Sequence, residues 1–156
     1  PKDKDILTSR KRITKMKCEL YHFFPEVYPF NFWIYIGNDI SGLIDNFNND
    51  FNFVNNSGAV TISVPHGGCK TDPNMGFIIW FLRKNIIDFE TVSHEVSHVS
   101  LRTFEYIEED IKNSEPFCYL SGWLAKKCGQ VKNGVDVKHN LIWSNEQTKS
   151  KKRSLN

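Results

Sequence analysis

Asp88-Phe-Glu-Thr-Val-Ser-His-Glu-Val-Ser-His-Val-Ser-Leu-Arg-Thr-Phe104 is the stretch that decides the fold. Phe89, Val92, Val96, Val99 and Thr103 recur at spacings of three and four, which makes one buried stripe of a helix. Asp88 stands where its carboxylate can accept from the N–H of Glu90 or Thr91 and so start that helix. His94, His98 and Leu101 follow the neighbouring stripe, at the edge of the core. Within the helix, His94-Glu95-Val96-Ser97-His98 is an H-E-x-x-H sequence. Residues four apart share a helix face one turn apart, so both imidazoles can reach one ion while Glu95 points slightly aside. Zinc hydrolysis uses that arrangement: two neutral imidazoles and a third protein ligand hold the ion, and an open position takes water. Glu95 is then the candidate general base, accepting the water's proton and returning it to the leaving amine.

Working outward towards the N-terminus, Met75-Gly-Phe-Ile-Ile-Trp-Phe-Leu-Arg83 reads as a strand immediately before the helix. Gly58-Ala-Val-Thr-Ile-Ser-Val64 alternates as a second strand and stops at Pro65. Phe32-Trp-Ile-Tyr-Ile-Gly37 has the β-branched and aromatic content of a central strand. Gly67-Gly68 allows the chain to reverse between two of them. His66 sits in that turn and reads as an exposed histidine rather than an extra ligand or oxyanion partner. His22, alone among aromatic rings, reads as a packed or hydrogen-bonded histidine. Ile40 to Phe47 has helical spacing behind Asn38-Asp39 as a cap. Residues 48 to 58 are expected to form a loop, with Phe51 and Phe53 tucked beneath it or paired as a short edge strand.

On the C-terminal side, Ser114-Glu-Pro-Phe-Cys-Tyr-Leu-Ser-Gly-Trp-Leu-Ala-Lys-Lys-Cys-Gly129 reads as a second helix. Ser114 caps it, Pro116 fits its first turn and Gly129 stops it. Glu115 lies 17 positions after His98 and is the leading candidate for the third ligand; the plainer reading is a carboxylate suited to the helix macrodipole. It reaches a metal on the histidines only if the first helix ends early or the link through residues 108–113 folds back. Glu105 is the fallback. Val135 to Trp143 forms a further strand or docks Leu141, Ile142 and Trp143 on the domain.

Composition bounds the class. The 156 residues suit one domain able to bury a core without staples. Twelve phenylalanines point to a core built on rings. No apolar run reaches the roughly 18 residues of a membrane span, and the N-terminal Pro-Lys-Asp-Lys-Asp is unlike a secretory signal. The expectation is a soluble protein made in a cytoplasm and used there or packaged from it. Cys18, Cys69, Cys118 and Cys128 have no paired spacing, which argues for reduced, mostly buried thiols and against a thiolate zinc site. A net charge of +2 makes no case for nucleic acid. Residues 1–17 form a basic arm that reads as solvated, because no aromatic interleaves its charges. Residues 18–143 are the domain, and 144–156 a polar, basic tail.

His94-Glu95-x-x-His98 followed by Ser114-Glu115-x-Phe117-x-Tyr119-Leu120-x-Gly122-Trp123 resembles the small zincin-type proteins encoded by phages and prophages. More broadly it is similar to the gluzincin metallopeptidases, which take their third ligand from a glutamate on the helix after the H-E-x-x-H helix. The resemblance is specific over residues 88–129 and architectural over 21–83. It implies Zn2+ held by His94, His98 and Glu115, with Glu95 as general base and a peptide or protein as substrate. Larger gluzincins differ in having a substantial second domain and a longer gap to the glutamate. The expected fold is α+β: a small mixed or antiparallel sheet from about Cys18 to Arg83, packed on the H-E-x-x-H helix and the helix after it. The expected function is zinc-dependent peptide hydrolysis, with residues 75–83 or 58–64 aligning an extended substrate by strand addition. The alternative is a catalytically inactive zincin-like structural or binding protein of a phage, meeting a phage or host protein partner.

Overall fold

In the computed structural model, residues 16–51, 57–112 and 114–146 are described. They form a mixed five-stranded sheet and three helices. The order is β1 (Glu19–Phe23), β2 (Asn31–Ile36), α1 (Ser41–Asn46), β3 (Ala59–Val64), β4 (Gly76–Phe81), α2 (Phe89–Tyr106), α3 (Ser114–Asn133) and β5 (Leu141–Ser144). Phe53, the basic arm up to Lys15 and the tail from Gln147 fall outside the described residues.

Across the sheet the strands run β3-β4-β2-β1-β5. β2 and β4 are parallel at its centre, and the other neighbours are antiparallel. A parallel pair needs a crossover, and the chain between β2 and β4 supplies one through α1 and the edge strand β3. Every residue of β2 and of β4 is buried, as expected for central strands covered on both faces. Phe32, Ile34, Ile36, Phe77, Ile79 and Phe81 point to the face that receives α2 and α3. Trp33, Tyr35, Ile78 and Trp80 point to the other, under α1 and the following loop, where Phe47 and Phe51 pack. Gly76 is required where these strands meet: a Cβ there would stand 2.2 Å from the Asn31 carbonyl oxygen. Two expectations change. The sheet does not end at Arg83, because β5 pairs with β1 and docks Trp143, whose Nε1 donates to Asp45 Oδ2 at 3.1 Å. β4 is interior, so β3 alone forms the edge on the side of α2.

α2 begins as its sequence implies, with Asp88 Oδ1 accepting from Thr91 N–H at 2.8 Å. It then runs as far as Tyr106 because Phe104 is fully buried and Thr103 is held in the core. Glu108, at φ 55°, turns the chain into the link to α3. α3 returns antiparallel: Ser100 Oγ meets Ser121 Oγ at 2.8 Å, and the Phe104 and Phe117 rings lie 5.5 Å apart. It continues past Gly129 to Asn133, where Gly134, at φ 66°, ends it in the position that favours glycine. All four cysteines are free thiols; Cys18, Cys69 and Cys128 are buried and Cys118 is exposed. Among the described residues no helix is long and apolar enough to cross a membrane.

Candidate functional site

The buried stripe of α2 consists of Val96, Val99, Ser100, Thr103 and Phe104, with Glu95 at its border towards β3; of the residues expected in it, Val92 is half-buried and Phe89, in the first turn, is exposed. His94 and His98 fall just outside it, His94 exposed and His98 half-buried. Their Nε2 atoms converge to 3.1 Å and their rings are nearly perpendicular, 4.7 Å between centroids. Two imidazole nitrogens on one tetrahedral zinc, each about 2.0–2.1 Å from it, stand about 3.3 Å apart. The pair therefore fits as two ligands of one ion.

Glu95 turns the other way and is only 6 % exposed. The Thr61 hydroxyl donates to Glu95 Oε2 at 2.6 Å, with the Glu95 carbonyl oxygen at 3.2 Å as its second acceptor. One row further along, Arg102 Nη1 donates to the Thr61 carbonyl at 3.2 Å and to Ser63 Oγ at 3.3 Å. Beyond that, His66 Nε2 and Tyr106 Oη lie 3.0 Å apart. Three rungs thus tie α2 to the edge strand and the turn after it, and the histidine pair lies beside them.

The edge strand is itself blunted. Gly58 O accepts from Leu82 N–H, which places Ala59, Thr61 and Ser63 at the positions whose backbone groups face away from β4. Their carbonyls are taken by Ser57 Oγ at 2.6 Å, by Arg102 and by Asn49 Nδ2 at 3.3 Å. Side chains that occupy an edge in this way discourage strand pairing. Strand addition, expected for residues 58–64 or 75–83, is obstructed at the first and has no free edge at the second.

Glu115 is not brought to the histidines. It is exposed in the first turn of α3, and the antiparallel packing puts it level with Tyr106. That is eight residues past His98, roughly 12 Å along the axis. The condition that α2 end early is not met, and among the described residues no three His, Cys, Asp or Glu side chains are grouped to hold a metal ion. Glu105, exposed on the same row as the histidines, is about two turns from His98. His66 is engaged with Tyr106, and His22 is the packed histidine expected, stacked on Trp33 and bonded to Asn31 Oδ1 at 2.7 Å. Thr61 and Arg102 are the residues the sequence reading missed. The only signals were Thr61's place in an alternating strand and Arg102's spacing of four from His98.

A separate groove of about 700 Å³ lies between residues 24–28 and α3, lined by Val27, Tyr119 and Trp123 and by no residue of α2. No family model, curated protein or solved structure matches the chain.

Proposed function

We propose that the protein is a zincin-like metallopeptidase that binds Zn2+ through His94 and His98 and uses Glu95 as general base. The observation that carries this reading is the convergence of the two Nε2 atoms to 3.1 Å, with Glu95 between them in sequence and its side chain held against Thr61 of β3. An antiparallel edge strand beside the H-E-x-x-H helix, with a second helix on the same sheet face, is the packing such a site would use. His94 and His98 would hold the ion through their Nε2 atoms. Zinc held there supplies a water of pKa about 7 and polarises the scissile carbonyl. The Thr61 hydroxyl fixes Glu95 Oε2, so the other carboxylate oxygen is the one that accepts the water's proton.

A second reading, a catalytically inactive zincin-like structural or binding protein of a phage, is favoured by a specific observation. No third ligand stands near the pair among the described residues, and Glu95 is buried against Thr61. Metal analysis after chelator-free purification, followed by a peptide-library digest, separates the two. Stoichiometric zinc with chelator-sensitive cleavage supports the peptidase. Zinc without cleavage, or no zinc, supports the binding protein.

A further inference from the structure

Pro116, Tyr119, Leu120, Trp123 and Lys127 follow one another along one stripe of α3 and line the groove against residues 24–28. From Pro116 to Lys127 the stripe covers roughly 16 Å of helix axis. At one end Tyr28 Oη donates to the Pro116 carbonyl oxygen at 3.4 Å and joins the two walls. In the middle Leu120 is buried, and the Trp123 ring lies 6.1 Å from Phe32, a fully buried ring of β2, so the floor is formed before anything binds. At the other end Lys127 Nζ stands over the Phe23 and Trp123 rings, 5.4 and 5.3 Å from their centroids. A volume of about 700 Å³ with mainly apolar walls is that of a small-molecule site, for which about 300–1,000 Å³ is usual.

The charge at the Lys127 end limits what that molecule is. Lys127 is half-buried, whereas Lys126 beside it is exposed. Its helix neighbours three and four positions away are Trp123, Leu124, Gln130 and Val131, none of them charged. No carboxylate among the described residues lies within ion-pair distance of it, and Glu26 on the facing wall is exposed. The two rings attract the ammonium through their faces and leave its N–H donors for an acceptor. An apolar slot with a positioned cation at one end, and no cation at the other, is complementary to a chain with an anionic head and an apolar tail. We propose that this groove binds a medium-chain alkyl carboxylate, with the head on Lys127 and the tail lying along Trp123, Leu120 and Tyr119 towards Pro116. Hydrogen bonds between charged partners are about twice as strong as neutral ones, so a carboxylate is held in preference to an alcohol of the same length. No residue of α2 lines the groove, so the site is independent of the histidine pair.

The test titrates hexanoate, octanoate, decanoate and 1-octanol into the full chain at neutral pH, below the concentrations at which they form micelles, and follows NMR shifts of the Trp123 indole N–H and of α3. Octanoate should saturate at one molecule per chain and bind about tenfold more tightly than 1-octanol. Affinity should rise from hexanoate to decanoate by up to about fourfold for each methylene added. Lys127→Met should erase the preference for the acid while leaving the binding of 1-octanol in place, and Lys127→Arg should keep the preference. Tyr119 is 75 % exposed, so Tyr119→Ala should fold normally and weaken all four ligands several-fold. Thermal melting confirms that each variant is folded. Equal binding of acid and alcohol, an affinity indifferent to chain length, shifts that fall away from α3 and residues 24–28, or no binding at all each overturns the proposal. So does a blocked acidic peptide, acetyl-Pro-Pro-Pro-Asp-amide, that occupies the groove when decanoate does not, since the face would then be a peptide-docking surface.

Discussion

The Thr61 hydroxyl donates to Glu95 Oε2 at 2.6 Å, joining the middle of the edge strand to the centre of the H-E-x-x-H motif. Glu95 is buried, so loss of this donor leaves a carboxylate short of a partner in a poorly solvated place. Thr61→Val should cost about 1–3 kcal/mol in a denaturant titration, while Thr61→Ser, which keeps the hydroxyl, should cost much less. Equal stability of the Val and Ser variants would show that the bond contributes nothing.

Removal of either histidine tests the metal pair. His94 is exposed and His98 half-buried, and neither belongs to the buried stripe. His94→Ala and His98→Ala should therefore change stability by no more than about 0.5 kcal/mol. Both should lose stoichiometric zinc, because a single imidazole does not hold the ion against water. Cobalt titration followed by its visible absorption reports the loss directly.

The elements around this pair were legible because each has its own local signal. Asp88 caps α2 through Thr91, as its place before the apolar stripe implies, and the apolar runs of β2 and β4 are central strands. The position of Glu115 was not legible. It depends on where α2 stops, and residues 99–113 include no glycine or proline to mark an end. Burial of Phe104 and the link from Tyr106 to His66 carry α2 onward, and both depend on contacts distant in sequence. The rungs of Thr61 and Arg102 were hidden for the same reason. They require β3 to be the edge strand under α2, an order the chain sequence does not specify.

That placement makes a sharp prediction for Glu115→Gln. The substitution should leave zinc affinity unchanged, because the carboxylate lies at the far end of α2 from the histidines. Its effect should be confined to the N-terminus of α3, about 0.3–1 kcal/mol from a lost favourable charge. Weakened zinc binding in this variant, measured by competition with a chelating dye, would mean that α3 moves towards the histidines when metal binds.

Stability should also fall on acidification through the cap of α2. The Thr91 N–H, followed by the Thr91 hydroxyl, holds the Asp88 carboxyl below its ordinary value. A depressed carboxylate contributes stability that is complete above its unfolded pKa. The contribution is lost as pH falls through the lower folded value, so the window lies at and below the ordinary Asp range near 4. Asp88→Asn, which still caps but does not titrate, should remove this part of the acid dependence while keeping the helix. Melting temperatures of wild type and Asp88→Asn should converge at low pH and separate only above that range.

Glu95→Gln decides between catalyst and binding protein. Glu95 points towards Thr61 and not into the Nε2 pair, so a glutamine there can still accept from the Thr61 hydroxyl and need not disturb the metal. Zinc content should be retained, and stability should change little, since a neutral amide is easier to bury than a carboxylate. What glutamine cannot do is take a proton from water at neutral pH. General base assistance is worth about 10²–10⁴-fold in rate, so cleavage by a peptidase should fall by at least that range. In an inactive binding protein the same change should leave every measurable property almost untouched. A variant that keeps zinc but loses turnover supports Glu95 as the base. One that keeps both means that any cleavage observed comes from other residues, and the H-E-x-x-H helix then serves to hold metal and structure.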